Sequence, residues 1–215
     1  MPFARHGIRE MVLAFLVSAA LAAGVWFLYP PASPAPFVLF LFVMSFFRDF
    51  ERRLPPGEDA IVSPADGTVT EIAEVEEGTY LKGPAVRIGI FLSVFNCHVN
   101  RAPWAGTVEH VKHAPGLYLD ARHPDSGPKN ESNAIGFHDP ARDVRMLVRQ
   151  VAGMIARRII CTVKPGDRME KGQRVGMIKF GSRTELYIPK DRVGSVDVKV
   201  GDPVRGTKTV LGRLK

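Results

Sequence analysis

The step from Gly181 to Ser182 joins two residue types that can carry out chemistry on the chain itself. Glycine has no Cβ, so it tolerates strained backbone angles and lets a nucleophile approach its own carbonyl carbon. The Ser182 hydroxyl can attack the carbonyl of Gly181 and move the acyl group from nitrogen to oxygen. Elimination from that ester, followed by hydrolysis, leaves a pyruvoyl group at residue 182. Most Gly-Ser pairs between strands are plain turns, so this step alone does not establish self-cleavage.

Two further segments contain residues that could assist such a reaction. Asp66 lies in the turn SPADG (residues 63–67), and His98 lies in FNCHVNRAP (residues 95–103), which follows an apolar run. Each also has a structural interpretation, because aspartate is common in turns and a lone histidine is more often a packed structural group. The order and setting of these residues therefore carry more information than their presence.

The segments that must position these residues are predicted to form a mainly β domain of barrel or sandwich type. From Glu58 onward, short β-rich runs alternate with Gly, Pro and Asp turns at spacings of about ten residues. Residues 164–173 and the SPADG turn resemble the halves of lipoyl and biotinyl carrier domains, which present a lysine at a hairpin tip. That tip corresponds to residues 180–182 and has no such lysine, which favours the scaffold and argues against the carrier function. The predicted strands are 60–62, 67–75, 85–92, 106–113, 134–139, 144–151, 159–163, 174–179, 183–188 and 196–198.

The N-terminal part is apolar and predicts a transmembrane or re-entrant helical hairpin. The run from Met11 to Tyr29 carries no charge, and its length comes close to the roughly 20 residues that cross a bilayer. Prolines at residues 30–36 break the helix, and the second run, from Phe37 to Phe47, is short for a full span. A secretory signal peptide is the alternative, but the apolar stretch is too long and a second one follows it.

Arginines flank the hairpin on both sides, which predicts that both of its ends are cytoplasmic. We therefore predict a membrane-anchoring segment in residues 1–54 and a β-rich catalytic domain in residues 55–215. The expected location is the inner membrane, with the catalytic domain on the cytoplasmic side.

Charge and cysteine content narrow the classes of partner. The net charge of +7 indicates an anionic partner, either nucleic acid or an acidic membrane surface. The basic residues are spread along the chain rather than clustered with aromatics, which argues against nucleic acid. Cys97 and Cys161 have no CxxC spacing, so we expect reduced thiols. No zinc spacing, nucleotide-binding glycine loop or GxSxG elbow occurs in the sequence, and we expect no metal.

Taken together, these segments resemble the phosphatidylserine decarboxylase proenzymes of the short, membrane-anchored type. The resemblance runs from about Arg48 to the C-terminus and keeps the family's order of motifs. It implies a lyase of phospholipid biosynthesis that converts phosphatidylserine in the membrane to phosphatidylethanolamine and CO2, working at an anionic lipid surface. The motifs that carry it are SPADG, FNCHVNRAP, NESN (residues 130–133), and KFGS (179–182) followed by ELYIP (185–189).

The resemblance also implies roles for individual residues. Cleavage between Gly181 and Ser182 yields a β chain of residues 1–181 and an α chain of residues 182–215, which form a heterodimer. Ser182 becomes the covalent pyruvoyl cofactor, which forms a Schiff base with the substrate amine. His98 would take the Ser182 proton during cleavage, and Asp66 would orient that histidine. No added cofactor is required.

One departure from the family leaves the histidine roles open. Longer members have two histidines three positions apart, whereas this chain has His98 at the first position and Arg101 at the second. Either His98 serves both cleavage and decarboxylation, or His113 or His123 assists. Arg101 is a candidate ligand of the headgroup phosphate, and equally a structural ion-pair partner.

Three other functions are compatible with parts of the sequence. A membrane-anchored adaptor with a lipoyl-like hairpin would remain one intact chain without a reactive carbonyl. A basic, membrane-tethered binder of nucleic acid or anionic lipid is suggested by net charge alone. A pyruvoyl enzyme acting on a soluble amino acid would not require the hydrophobic hairpin.

Overall fold

The computed structural model describes residues 3–123, 125–154, 158–179 and 182–215. The chain divides into two compact units, Met1–Glu51 and Arg52–Lys215. The division falls three residues before the boundary expected from the sequence, and the side chain of Arg52 binds Asp66 within the second unit.

The first unit is a hairpin of two apolar helices, α1 (Ile8–Leu28) and α2 (Phe37–Phe46). A 3₁₀ turn at Pro30–Ala32 follows α1, because proline lacks the N–H that would continue the helix. The ring of Phe15 in α1 lies 5.4 Å from that of Phe40 in α2, so the helices pack on each other. With the turn before it, α1 forms a helical stretch of 24 residues that is long and apolar enough to cross a membrane.

The second unit is built mainly from strands, as the sequence predicted. A short helix, α3 (Ser126–Lys129), precedes the sixth strand. The strands are β1 (Ala60–Val62), β2 (Gly67–Glu77), β3 (Gly83–Leu92), β4 (Val99–Arg101), β5 (Gly106–Ala114), β6 (Ser132–Asp139), β7 (Val144–Val151), β8 (Arg158–Cys161), β9 (Arg168–Met169), β10 (Arg174–Lys179), β11 (Ser182–Pro189), β12 (Val193–Val196), β13 (Pro203–Val204) and β14 (Val210–Leu214).

Eight strands form one curled antiparallel sheet, a half-barrel, in the order β13-β2-β3-β11-β7-β6-β5-β9. Two three-stranded sheets, β1-β14-β12 and β4-β10-β8, complete the unit. Side chains alternate between the faces of a strand, so Leu186 and Ile188 of β11 join the main core together with Ile90 and Val148. By the same alternation Ser182 and Thr184 lie on the core-facing side of β11.

The strands on either side of residues 180–181 belong to different sheets. β10 pairs with β4 and β8, whereas β11 pairs with β3 and β7. The expected tip of the lipoyl-like hairpin, residues 180–182, lies at this junction and falls mostly outside the described residues. A glycine keeps β10 close to β8, because a Cβ at Gly176 would lie 2.1 Å from the carbonyl oxygen of Ile160. Phe180 and Gly181 lie outside the described residues.

Candidate active site

Ser182 is the first residue of β11, and its backbone is paired with Leu92 of β3. Its side chain is completely buried. Within the described residues its Oγ has no hydrogen-bond partner. Buried polar atoms are almost always hydrogen-bonded, so a buried hydroxyl without a partner is a candidate for a chemical role.

His98 lies directly before β4 and is fully buried. Its Nδ1 is 2.9 Å from the carbonyl oxygen of Asn96. A carbonyl only accepts hydrogen bonds, so Nδ1 must carry the hydrogen and Nε2 is the acceptor of the neutral ring. This tautomer is the one that a general base requires.

Backbone hydrogen bonds bring the three predicted segments together. The amide of Ile178 in β10 donates to the carbonyl of His98 at 3.2 Å, four residues before Ser182. The amide of Arg101 donates to the carbonyl of Pro64 in the SPADG turn at 2.9 Å. The segment that contains His98 therefore lies between the turn of Asp66 and the strand that leads to Ser182.

Asp66 binds an arginine. Its carboxylate accepts two N–H groups of Arg52, one of them at 2.8 Å, and the backbone amide of Gly206, also at 2.8 Å. Arg52 in turn donates to the carbonyl of Gly206 at 2.8 Å. These contacts fix Asp66 between the start of the unit and its C-terminal part. They give it a cationic partner, and its predicted role of orienting His98 remains a prediction.

The other predicted site residues have hydrogen-bond partners of their own. Arg101 is 5% exposed and donates to the carbonyl of Gly172 at 3.1 Å. His113 is half exposed at the end of β5, with its Nε2 2.9 Å from a carboxylate oxygen of Glu131. His123 accepts a hydrogen bond from the amide of Asp125 through Nδ1, at 3.1 Å on the surface. Of the three histidines considered, His98 is the one joined to the strand that precedes Ser182.

Comparison with known proteins identifies the family. A model of the family described as phosphatidylserine decarboxylase matches residues 39–212. The phosphatidylserine decarboxylase proenzyme of Carboxydothermus hydrogenoformans is 54% identical over 83% of this chain and 83% of its own length. The proenzyme of Rhodopirellula baltica is 42% identical over 100% of this chain and 89% of its own, and that of Magnetococcus marinus is 39% identical over 99% and 95%.

The chain belongs to the phosphatidylserine decarboxylase family. Its relatives match both the apolar N-terminal unit and the β-rich unit, because the alignments with two of them cover nearly the whole chain. The resemblance expected from the sequence is confirmed.

This phosphatidylserine decarboxylase family member has a buried amide chain next to Ser182 that sequence reasoning missed. Asn133 donates to the side-chain oxygen of Gln150 at 3.0 Å, and Gln150 donates to that of Asn100 at 2.9 Å. Asn100 then donates to the hydroxyl of Thr184 at 2.9 Å. All four side chains are at most 3% exposed. Each amide donates to the next group, so the bonds polarise one another toward Thr184, two residues from Ser182 on the same face.

The opposite face of β11 is held by charged groups. Arg183 donates through Nε to Glu185 at 2.8 Å and also binds Glu71 of β2. Tyr187 donates to Glu185 at 2.7 Å. Burial, together with the negative charge of Glu185, raises the pKa of Tyr187 to about 12. Burial alone would raise the pKa of Glu71, but hydrogen bonds from Arg87 and Arg183 outweigh it and lower that pKa. This cluster anchors the residues that directly follow Ser182.

A cavity of about 340 Å³ opens near the end of β3, where Leu92 pairs with Ser182. Most of its lining is apolar. Within the described part of the chain, no group of three His, Cys, Asp or Glu side chains is placed to hold a metal ion. The residues that line the cavity are Phe91, Ser93, Val94, Asp120, Ala121, Arg122 and Met154.

Proposed function

We propose that this protein decarboxylates phosphatidylserine to phosphatidylethanolamine and CO2, using a pyruvoyl group made from Ser182. Membership of the family supports the reaction. The observation that carries the proposal for Ser182 is its buried hydroxyl, which has no hydrogen-bond partner among the described residues. Ser182 is also the first residue of the central strand β11. A hydroxyl that is to be consumed by chemistry has no need of a permanent partner.

In the proposed maturation, Ser182 Oγ attacks the carbonyl carbon of Gly181 while Nε2 of His98 accepts the hydroxyl proton. The C–N bond breaks, the nitrogen is protonated, and residues 1–181 are held as an ester on Oγ. Loss of the Cα proton expels the carboxylate of Gly181 and leaves dehydroalanine. Water then replaces the nitrogen, which leaves as ammonia. These reaction steps consume water and need no oxidant or reductant.

The site fits the pyruvoyl group because Ser182 lies on the core-facing side of β11, where the surroundings are buried and partly polar. The carbonyl of that group supplies an electron sink for the electron pair left when CO2 departs. His98, whose carbonyl is hydrogen-bonded to the strand that leads to Ser182, returns a proton to the α-carbon. Both residues are buried, which favours a fixed donor over bulk water as the source of that proton.

We further propose positioning roles for two charged residues. Asp66, fixed by Arg52, holds the turn to which Arg101 is hydrogen-bonded and so supports the segment that contains His98. Arg101 is proposed to bind the headgroup phosphate, because its guanidinium has five N–H donors. Its burial means that a headgroup reaches it only inside the unit.

The substrate would be drawn from a membrane to which the apolar hairpin holds the chain. Arginines before α1 and after α2 favour cytoplasmic placement of the second unit. The net charge of +7 favours an anionic lipid surface. After cleavage, residues 182–215 would stay with residues 1–181 as a heterodimer, since β11 lies between β3 and β7.

The test of maturation is an intact-mass spectrum of the purified full chain under denaturing conditions. We expect two chains divided between Gly181 and Ser182, the smaller one carrying a ketone oxygen where its sequence has an amine. Borohydride should add two hydrogens to the smaller chain. Ser182→Ala should remain one chain of full mass and should not react with borohydride. A single chain of full mass from the parent protein would refute the proposal and favour the adaptor.

The test of the reaction is release of labelled CO2 from phosphatidylserine that is labelled in the serine carboxyl group. Free serine, labelled in the same way, is the control that separates a lipid substrate from a soluble amino acid. His98→Ala separates the two histidine roles. If this variant matures but does not release CO2, His98 acts only in decarboxylation; if it stays intact, His98 is needed for cleavage.

A further inference from the structure

The loop between Leu92 and His98 carries an aromatic ring that faces outward. Phe95 is 72% exposed, the most exposed of the large apolar side chains described in the second unit. The loop is fixed rather than loose. The amide of Asn96 donates to the carbonyl of Ser93 at 2.9 Å, and the side-chain oxygen of Asn96 accepts from both the amide and the hydroxyl of Ser93 at 2.8 Å. These hydrogen bonds therefore fix the loop in a conformation that leaves most of the Phe95 side chain exposed.

Phe95 does not stand alone. Its neighbour Val94 lines the cavity of about 340 Å³, and Met154 lines the same cavity and is 61% exposed. Val94, Phe95 and Met154 are called the apolar rim below. Exposed apolar groups next to an apolar cavity mark an interaction surface. Aromatic and thioether side chains suit an apolar and adaptable partner.

We propose that the apolar rim is a membrane-docking surface that seats the second unit on an anionic phospholipid bilayer. Phe95 is three residues from Leu92, which pairs with Ser182, and three residues from His98. Three residues span at most about 10 Å. A ring buried at the boundary between headgroups and acyl chains would therefore bring headgroups close to the candidate active site.

Charge favours a bilayer over another protein as the occupant. The chain carries a net charge of +7, and the exposed Arg122, which is paired with Asp120, lines the same cavity as Val94 and Met154. Basic groups beside apolar ones match the anionic headgroups and acyl chains of a bilayer. The apolar helix of the first unit belongs to the same chain, so its insertion would raise the effective concentration of lipid around the rim. Weak docking is then sufficient.

Docking can be measured by tryptophan fluorescence in the full chain. The background is Trp26→Phe, which leaves the buried Trp104. Phe95→Trp is compared with the control Val200→Trp, an apolar surface position that is 61% exposed. In vesicles of phosphatidylcholine and phosphatidylserine, the indole introduced by Phe95→Trp should be quenched by brominated lipid and protected from iodide. The indole introduced by Val200→Trp should show the reverse.

Two results of this experiment would overturn the proposal. Equal access of iodide to both indoles, without quenching of the Phe95→Trp variant by brominated lipid, would show that the rim stays in water. Protection from iodide without lipid quenching would show that protein, for example a second copy of this chain, covers the rim. The measurement repeated with Ser182→Ala gives the same answer whether or not the chain is a decarboxylase.

A kinetic comparison tests whether docking delivers substrate, and this step rests on the proposed function. Phe95→Ser should lower kcat/KM on vesicles by about tenfold, since losing about half of a Phe side chain's burial removes roughly 1.4 kcal/mol. Activity on monomeric short-chain phosphatidylserine should be unchanged. Equal activity of variant and parent on vesicles would refute substrate delivery. A parent that releases no CO2 from either substrate would refute the proposed function. In that case the fluorescence result alone would decide whether the rim docks on a bilayer.

Discussion

Removing one member of the buried amide chain should destabilise the second unit measurably. Gln150→Leu keeps the approximate size of the side chain but deletes its donor and its acceptor. Asn133 then loses the oxygen that accepts its bond at 3.0 Å, and Asn100 loses the N–H that donates to it at 2.9 Å. Each orphaned buried group costs about 1–3 kcal/mol, and added apolar burial offsets part of the sum. We expect the free energy of unfolding to fall by about 2–4 kcal/mol.

The assay is urea unfolding followed by the fluorescence of Trp104, which is 4% exposed in the second unit. Trp26→Phe removes the other tryptophan, and Ser182→Ala keeps every variant as one chain of equal length. Gln173→Leu, at an exposed position, is the matched control; it deletes only a solvent-exposed turn hydrogen bond from the amide of Glu170 at 2.8 Å, so it should lower the free energy of unfolding by at most about 1 kcal/mol.

A double variant tests whether the loss comes from unsatisfied groups. Asn133→Leu together with Gln150→Leu removes both partners of one bond, so only Asn100 is left without its donor. The double variant should be less destabilised than the sum of the single variants by about 1–3 kcal/mol. Strict additivity, or a loss below about 0.5 kcal/mol for Gln150→Leu, would refute the reasoning that the amides support one another.

Three further outcomes follow from contacts around the site. Asp66→Asn should lower the free energy of unfolding by about 1.5–3 kcal/mol, measured by urea unfolding. The asparagine keeps the shape of Asp66 but lacks the negative charge that Arg52 binds. The pKa of Tyr187 is raised to about 12 from an ordinary 10.0, so its stabilising contribution is present below pH 10 and is lost as the pH rises toward 12. Tyr187→Phe should therefore remove a fall of about 2–3 kcal/mol across that interval, read from unfolding at several pH values. Gly176→Ala should prevent soluble expression of the second unit or lower its melting temperature sharply, since the new Cβ would lie 2.1 Å from a backbone oxygen of β8.

Each of these expectations has an opposite result. An unchanged free energy in Asp66→Asn would mean that the ion pair with Arg52 adds nothing beyond its neutral hydrogen bonds. An identical pH dependence in Tyr187→Phe and the parent would remove the tyrosine as the titrating group. Normal melting of Gly176→Ala would mean that β8 and β10 separate without cost.

The sequence predicted the strands that bury one face. The expected bounds of β1, β7 and β10 agree with the structure, because short apolar runs between turn residues mark them locally. β4 was not predicted, since its three residues, Val99–Arg101, contain two polar ones. Its strand geometry comes from pairing with β10, more than seventy residues away, and no local pattern contains that pairing.

The site was predictable as far as single residues but not as far as their partners. The segments around Asp66, His98 and Ser182 are joined by backbone hydrogen bonds, which their order in the sequence could suggest but not specify. Arg52 was read as one of the arginines that flank the membrane, whereas its side chain binds Asp66. The amide chain draws its four members from four strands, so its detection requires the strand register. Two of its members, Asn100 and Asn133, stand inside motifs already singled out.

The central position of β11 in the sheet has a consequence for refolding of the mature protein after denaturation. Residues 182–215 contribute β11 between β3 and β7, β13 beside β2, and β14 beside β1. In the uncut chain these pairings form within one molecule. After a cut before Ser182, the same pairings must form between two molecules, so recovery from denaturation would slow with dilution. The uncut precursor would then be the form that folds efficiently. The two mature chains would keep that fold after cleavage, but would not recover it as readily after denaturation.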